Sequence, residues 1–197
     1  MYALALIDLQ NAFCHQDGSF ARRGFSLSGA KEMLGNIEKL VSFFAELRWP
    51  IVCTQMEFAP DYSDSGLLVS HLYPTIRDLG AYVRGTFDAQ LLAEVEAILP
   101  QDCLHISKTR YDPFLGSDLA AKAKLIGVRH FIVAGVLTNV CVEAFVRSAF
   151  DRDFLVTTVS DATCTYSQGA HTASLATIAQ HFGEVRESSD VLKQLLR

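Results

Sequence analysis

The chain has 197 residues, of which half are hydrophobic and a fifth charged, and 17 basic against 22 acidic side chains leave a formal charge of −5. A chain of this length buries about 70% of the surface its unfolded form exposes, enough to fold as one domain over residues 1–197 without a disulfide or metal staple. The composition excludes disorder, and the mild acidity without a Lys/Arg run argues against a nucleic-acid or anionic-membrane surface.

In chain order, Tyr2–Ile7 reads as a short apolar strand. Met33, Leu34, Ile37, Leu40, Val41, Phe44 and Leu47 follow the spacing of an amphipathic helix, which Trp49-Pro50 stops. Ile51–Gln55 is a second strand. Residues 57–84 break the alternation, with Pro60, Gly66, Pro74 and room for a short helix at Leu67–Leu72. Such a segment inside a compact domain is expected to be a lid, a binding loop or an interface. Leu91, Leu92, Val95, Ile98 and Leu99 predict a helix ended by Pro100, and Cys103–Ile106 a third strand. A helix over Asp118–Ile126 leads to a fourth strand, His130–Val136, and then a helix carrying Val142, Phe145, Val146 and Phe150. Phe154–Val159 is a fifth strand, followed by a helix over His171–Phe182, a short sixth strand near Val185 and a last helix near Val191–Leu196. This alternation predicts an α/β fold: a six-stranded, mostly parallel sheet with helices on both faces.

Five cysteines, at 14, 53, 103, 141 and 164, form no C-x-x-C and no even framework. That pattern suits a reducing compartment, and MYALALIDLQ lacks the basic start of a signal peptide. No apolar stretch reaches the ~18 residues of a membrane span. A cytoplasmic protein without membrane partners is expected.

Ligands of an open parallel sheet bind beyond the carboxyl ends of its strands. Asp8, Lys108 and Cys141 arrive at that edge from three different strands. With Thr138 as N-cap, Cys141 falls in the first helical turn, where free N–H groups and the dipole lower a thiol pKa and hold an oxyanion. The plainer readings are a packing cysteine, a turn aspartate and a surface lysine. Cys53 and Cys103 lie inside strands and read as core, and Cys14 could border the site. The six histidines show no metal-ligand spacing, and no phosphate-loop motif is present. No metal or other cofactor is therefore expected.

Three segments together carry a resemblance: Asp8-Leu9-Gln10-Asn11-Ala12-Phe13, Lys108-Thr109-Arg110-Tyr111-Asp112-Pro113-Phe114, and Gly135-Val136-Leu137-Thr138-Asn139-Val140-Cys141-Val142-Glu143. In their order and strand-end placement they resemble the isochorismatase-like cysteine hydrolases, which include nicotinamidases and the ureidoacrylate and N-carbamoyl amidohydrolases. The likeness covers nearly the whole chain and is strongest to the ureido and carbamoyl branch. It implies a triad of Asp8, Lys108 and Cys141. It also implies a cis peptide between Val136 and Leu137, and an oxyanion hole from the backbone N–H groups of Leu137 and Cys141. It further implies a homo-oligomer, dimer or tetramer.

Where nicotinamidases place the metal ligands of T-Q-D-W-H, this chain reads Thr54-Gln55-Met56-Glu57-Phe58, with Met56 and Phe58 at the ligand positions. Loss of that metal site is expected. Phe13, Tyr111 and Phe114 are candidate pocket walls, and Gln10, Asn11, Thr138 and Asn139 candidate polar contacts. Arg22 and Arg23 could meet a substrate carboxylate, although a solvated pair is the plainer reading. The expected activity is C–N hydrolysis of a small amide or ureido compound through a thioester. An isochorismatase-type vinyl-ether hydrolase and a non-catalytic binding protein on the same fold stand as alternatives.

Overall fold

A computed structural model describes residues 1–27 and 29–196. Its centre is one six-stranded sheet, all parallel, in the order β3-β2-β1-β4-β5-β6. The strands are β1 (Tyr2–Ile7), β2 (Ile51–Met56), β3 (Leu104–Lys108), β4 (His130–Val136), β5 (Leu155–Cys164) and β6 (Glu184–Arg186). The first three build outward from β1 in one direction and the last three in the other. The reversal lies between β1 and β4, which pair from Tyr2↔His130 to Ile7↔Gly135. Both are apolar runs because both faces of each are covered, as parallel strands require.

The helix Ala30–Glu46 buries Met33, Ile37, Leu40, Val41 and Phe44. Beyond its end Trp49 stacks on Tyr2 and meets Phe43 and Phe44 edge-on. Glu143–Phe150 buries Phe145, Val146 and Ala149. Gln168–His181 is capped by Ser167, whose hydroxyl accepts from the Ala170 N–H at 3.4 Å. Asp161 joins three elements: it accepts from Asn36 at 3.0 Å and from the backbone and hydroxyl of Ser188, each at 2.7 Å, where the helix Ser188–Leu195 begins.

Several sequence expectations shift. The helix expected over residues 91–99 shortens to one turn, Ala93–Glu96, behind a tight turn at Phe87–Ala89. Leu92 is extended (φ −54°, ψ 135°), and its N–H donates to the Leu9 carbonyl at 2.9 Å. Leu91 and Leu92 are thus buried against the exit of β1, not as one face of a helix. Strand β5 continues past Val159 to Cys164 through a register shift against β4 between Val133 and Gly135. Residues 57–84 hold a wide turn at Leu68–Leu72 and a single helical turn at Thr75–Asp78. The segment is tied down by Tyr62, whose hydroxyl donates to the Ala81 carbonyl at 2.8 Å, and by Arg110, which donates to the Asp64 carbonyl at 3.0 Å.

Candidate active site

Strand β1 ends at Asp8, whose φ of 51° is left-handed. That conformation is costly for most residues, tolerated by Asp, and concentrated at functional sites. It turns the carboxylate toward β2 and β3. Thr54 of β2 donates its hydroxyl to Asp8 Oδ1 at 2.6 Å and accepts the Asp8 N–H through its carbonyl at 3.1 Å. Lys108 is the last residue of β3, and its Nζ stands 2.7 Å from Asp8 Oδ2. The same ammonium donates to Cys141 Sγ at 3.4 Å and to the Arg110 carbonyl at 3.2 Å. Lys108 thus joins Asp8 and Cys141 through one ammonium. All three side chains are buried.

Cys141 arrives from β4. Gly135 has φ 117°, and a Cβ there would stand 2.2 Å from the Ile7 carbonyl oxygen, so only glycine lets β4 come this close to β1. The Val136–Leu137 peptide bond is cis. A wide turn, Thr138–Val142, then carries Cys141 into the helix Glu143–Phe150. Thr138 is not the N-cap expected of it. Leu137 takes that position, and the Thr138 hydroxyl instead pairs with His171 Nδ1 at 2.9 Å. The Ser174 hydroxyl donates to the Glu143 carboxylate at 2.5 Å and stands 3.1 Å from the Thr138 carbonyl, and Thr165 donates to Asn139 Oδ1 at 2.7 Å. The end of β5 and the helix after it therefore fasten the cysteine turn from outside.

Electrostatically the centre is an ion pair with a thiol beside it. Burial opposes the charge on Lys108, but Asp8 and Cys141 outweigh it and raise its pKa, so the ammonium stays protonated. Burial and then the Asp8 charge push the Cys141 thiol up, with Lys108 pulling the other way. The sequence expectation of a lowered thiol pKa is thus reversed. A thiolate here would leave a buried carboxylate–ammonium–thiolate cluster with a net negative charge, which a desolvated interior disfavours.

Above Cys141 lies a cavity of about 520 Å³. Phe13, Tyr111, Leu137, Asn139 and Arg23 line it, as do Leu68, Tyr73, Ile76 and Tyr82 of the 57–84 segment, which forms one wall. Gln10, Thr138, Phe114 and Val136 do not. Gln10 is spent on the backbone of β2 and its neighbour: its amide donates to the Met56 and Ala89 carbonyls and accepts the Met56 N–H, each at 2.8 Å. Asn11 likewise donates to the Phe87 carbonyl at 2.9 Å. Phe114 packs with Phe131, Phe145 and Phe154 in the core. The Arg22 guanidinium donates to the Asp17 carbonyl, away from the cavity. Sequence reasoning missed Thr54, whose only signal was a hydroxyl inside an otherwise mostly apolar strand. It also missed Phe20, Phe25, Tyr82 and Tyr166, rings on separate loops that converge on the cavity.

Met56 and Phe58 are both buried among apolar side chains, and neither offers a hard donor. Among the described residues no group of three or more His, Cys, Asp or Glu side chains is placed to hold a metal ion. None of the described helices is long and apolar enough to cross a membrane.

Comparison with known proteins agrees with this architecture. A ureidoacrylate amidohydrolase, RutB, of Variovorax paradoxus (strain S110) is 29% identical over 203 residues, covering 97% of this chain and 80% of its own. The crystal structure of a cysteine hydrolase from Pseudomonas syringae pv. phaseolicola 1448A superposes with a TM-score of 0.86 at 25% identity, over 98% of this chain and 91% of that one. An N-carbamoylsarcosine amidase from Thermoplasma acidophilum shares the fold, with a TM-score of 0.75 at 21% identity over 95% and 96% of the two chains. The isochorismatase domain model matches residues 2–190, and the chain belongs to the isochorismatase family.

Proposed function

We propose that the protein is a cysteine amidohydrolase that cleaves a C–N bond of an amide or ureido substrate without a metal. The observation that carries this reading is the buried contact of Asp8, Lys108 and Cys141 at the floor of a cavity. The names of the relatives point the same way: ureidoacrylate amidohydrolase and cysteine hydrolase. Met56 and Phe58, standing at the metal-ligand positions of nicotinamidases, support the metal-independent form.

The proton of the Cys141 thiol is the one to be moved, and Asp8, joined to the same Lys108 ammonium, is the base. Asp8 takes it as the sulfur attacks the substrate carbonyl, so the negative charge passes from the carboxylate to the carbonyl oxygen, with Lys108 balancing it throughout. The backbone N–H groups of Leu137 and Cys141 receive that oxyanion. Protonated Asp8 then gives its proton to the leaving nitrogen, the C–N bond breaks, and a thioester remains. Asp8 next takes a proton from water as the water oxygen attacks the thioester. The C–S bond breaks, the acid leaves, and the proton returns to sulfur. A raised resting thiol suits this cycle, because the nucleophile is made only when a carbonyl is present to accept the charge.

The test is ammonia release from a panel of primary amides, ureido acids and isochorismate, run with wild type and Cys141→Ala. Ammonia from amides or ureido acids that falls to background in the variant, with a substrate-derived adduct on Cys141 by mass spectrometry, is the expected result. Turnover of isochorismate alone, or full activity in Cys141→Ala, overturns the reading. We further infer that copies associate as a dimer or tetramer in the cytoplasm, which size-exclusion chromatography with light scattering checks.

A further inference from the structure

The cavity above Cys141 is built for something less polar than a small ureido acid. Seven of its twenty lining residues are aromatic, and Arg23 is its one cationic side chain. The rings form a connected wall. Phe20 stacks on Phe13 at 5.5 Å and on Tyr166 at 6.0 Å between centroids, and Phe25 meets Tyr166 at 5.2 Å. Phe25 remains 49% exposed at the rim, apolar surface that a ligand would cover.

Three of the polar side chains nearby are already used. Gln10 and Asn11 are bonded to backbone carbonyls, and Asn139 Oδ1 is held by Thr165. A volume of about 520 Å³ lies within the roughly 300–1,000 Å³ range of sites that enclose drug-sized ligands. A compound as small as a ureidoacrylate would leave most of this wall facing water.

We propose that the scissile amide or ureido group is carried on a flat apolar group, an aryl or arylalkyl substituent, which lies against the wall of Phe13, Phe20, Phe25 and Tyr166. The proposal rests on Cys141 as nucleophile only for where the carbonyl sits. The apolar wall itself is independent of the chemistry.

The experiment has two arms. In the first, acetamide, ureidoacrylate and phenylacetamide are compared as substrates. One methylene in a complementary apolar pocket is worth about 10–200-fold in kcat/KM, so phenylacetamide should exceed acetamide by about 100-fold or more. Phe25→Ala, at a half-exposed position on the rim, should lower the ratio of kcat/KM for phenylacetamide to that for acetamide about 5-fold or more. Equal turnover of acetamide and phenylacetamide, or a preference for ureidoacrylate, overturns the proposal.

The second arm measures binding of phenylacetamide and acetamide to Cys141→Ala by calorimetry, where no chemistry occurs. Phenylacetamide should bind at least about 10-fold more tightly, and equal or absent binding of both overturns the proposal. If no amide is hydrolysed by wild type while phenylacetamide still binds preferentially, the hydrolase reading fails and the apolar site stands.

Discussion

Thr54 donates to one oxygen of Asp8, and Lys108 stands against the other. The carboxylate is thereby held on both sides, in a buried place where an unsatisfied charged oxygen is expensive. Thr54→Val keeps the shape and removes the bond. A hydrogen bond to a charged group is worth about 1.5–3 kcal/mol, so kcat should fall about 10- to 100-fold. Because Thr54 does not line the cavity, KM should hold. Steady-state kinetics separates the two, and a change confined to KM would contradict a positioning role. Tyr166 presents the opposite case. Its hydroxyl is buried without a hydrogen-bond partner. Tyr166→Phe should therefore leave stability unchanged or raise it by up to about 1 kcal/mol, as read from the urea midpoint. At this scale Asp8, Lys108 and Cys141 could be singled out because each lies at or just beyond the carboxyl end of a strand. Gln10 and Phe114 were misread, because a polar side chain that serves a backbone and one that serves a substrate have the same sequence signature. The same holds for a ring in a core and a ring on a pocket wall.

The β4 exit turns on contacts between elements. Gly135 is the point where β4 touches the backbone of Ile7, with positive φ and no space for a Cβ. Gly135→Ala must push β1 and β4 apart just where Asp8 and the cysteine turn depart. A loss of about 3 kcal/mol or more is expected, from overpacking and backbone strain together. Gly35, inside the helix Ala30–Glu46, has nothing within 4 Å of a built Cβ. Gly35→Ala should stabilise by about 0.5–1 kcal/mol, since Ala loses less entropy in a helix. Chemical denaturation of both variants gives the contrast, and equal effects would sink the argument. Periodicity located Ala30–Glu46 and Glu143–Phe150 because each buries a stripe. It overextended the helix at 91–99, where Leu91 and Leu92 are apolar because β1 exits over them. It also misplaced the cap at Thr138, whose hydroxyl is taken by His171 from a helix thirty residues on. Side chains recruited across the fold leave no local trace.

Alternation along the chain predicts the parallel sheet of the whole molecule but not its strand order, and the switch between β1 and β4 sets where Asp8, Lys108 and Cys141 meet. The 57–84 segment resisted reading because its job is defined by what it covers. Leu68, Tyr73 and Tyr82 face a cavity that no single stretch of sequence reveals. Global stability carries a further consequence. His130 sits at the start of β4, 2.8 Å from the Thr157 hydroxyl on β5, and His171 joins the cysteine turn. Burial lowers the pKa of both. In the unfolded chain they titrate near about 6.5, so between that pH and their lower folded values the unfolded state binds more protons. Stability therefore rises with pH through that window and is lost as pH falls below about 6.5. Glu184 is held low by Arg186, but its contribution is lost only nearer the carboxylate range, about 4.3 and below. Urea midpoints at about pH 7.5, 6.5 and 5.5 should decline in order, with a shallower decline in the double variant His130→Gln, His171→Gln. An unchanged slope in that variant would show that the acid sensitivity comes from elsewhere in the molecule.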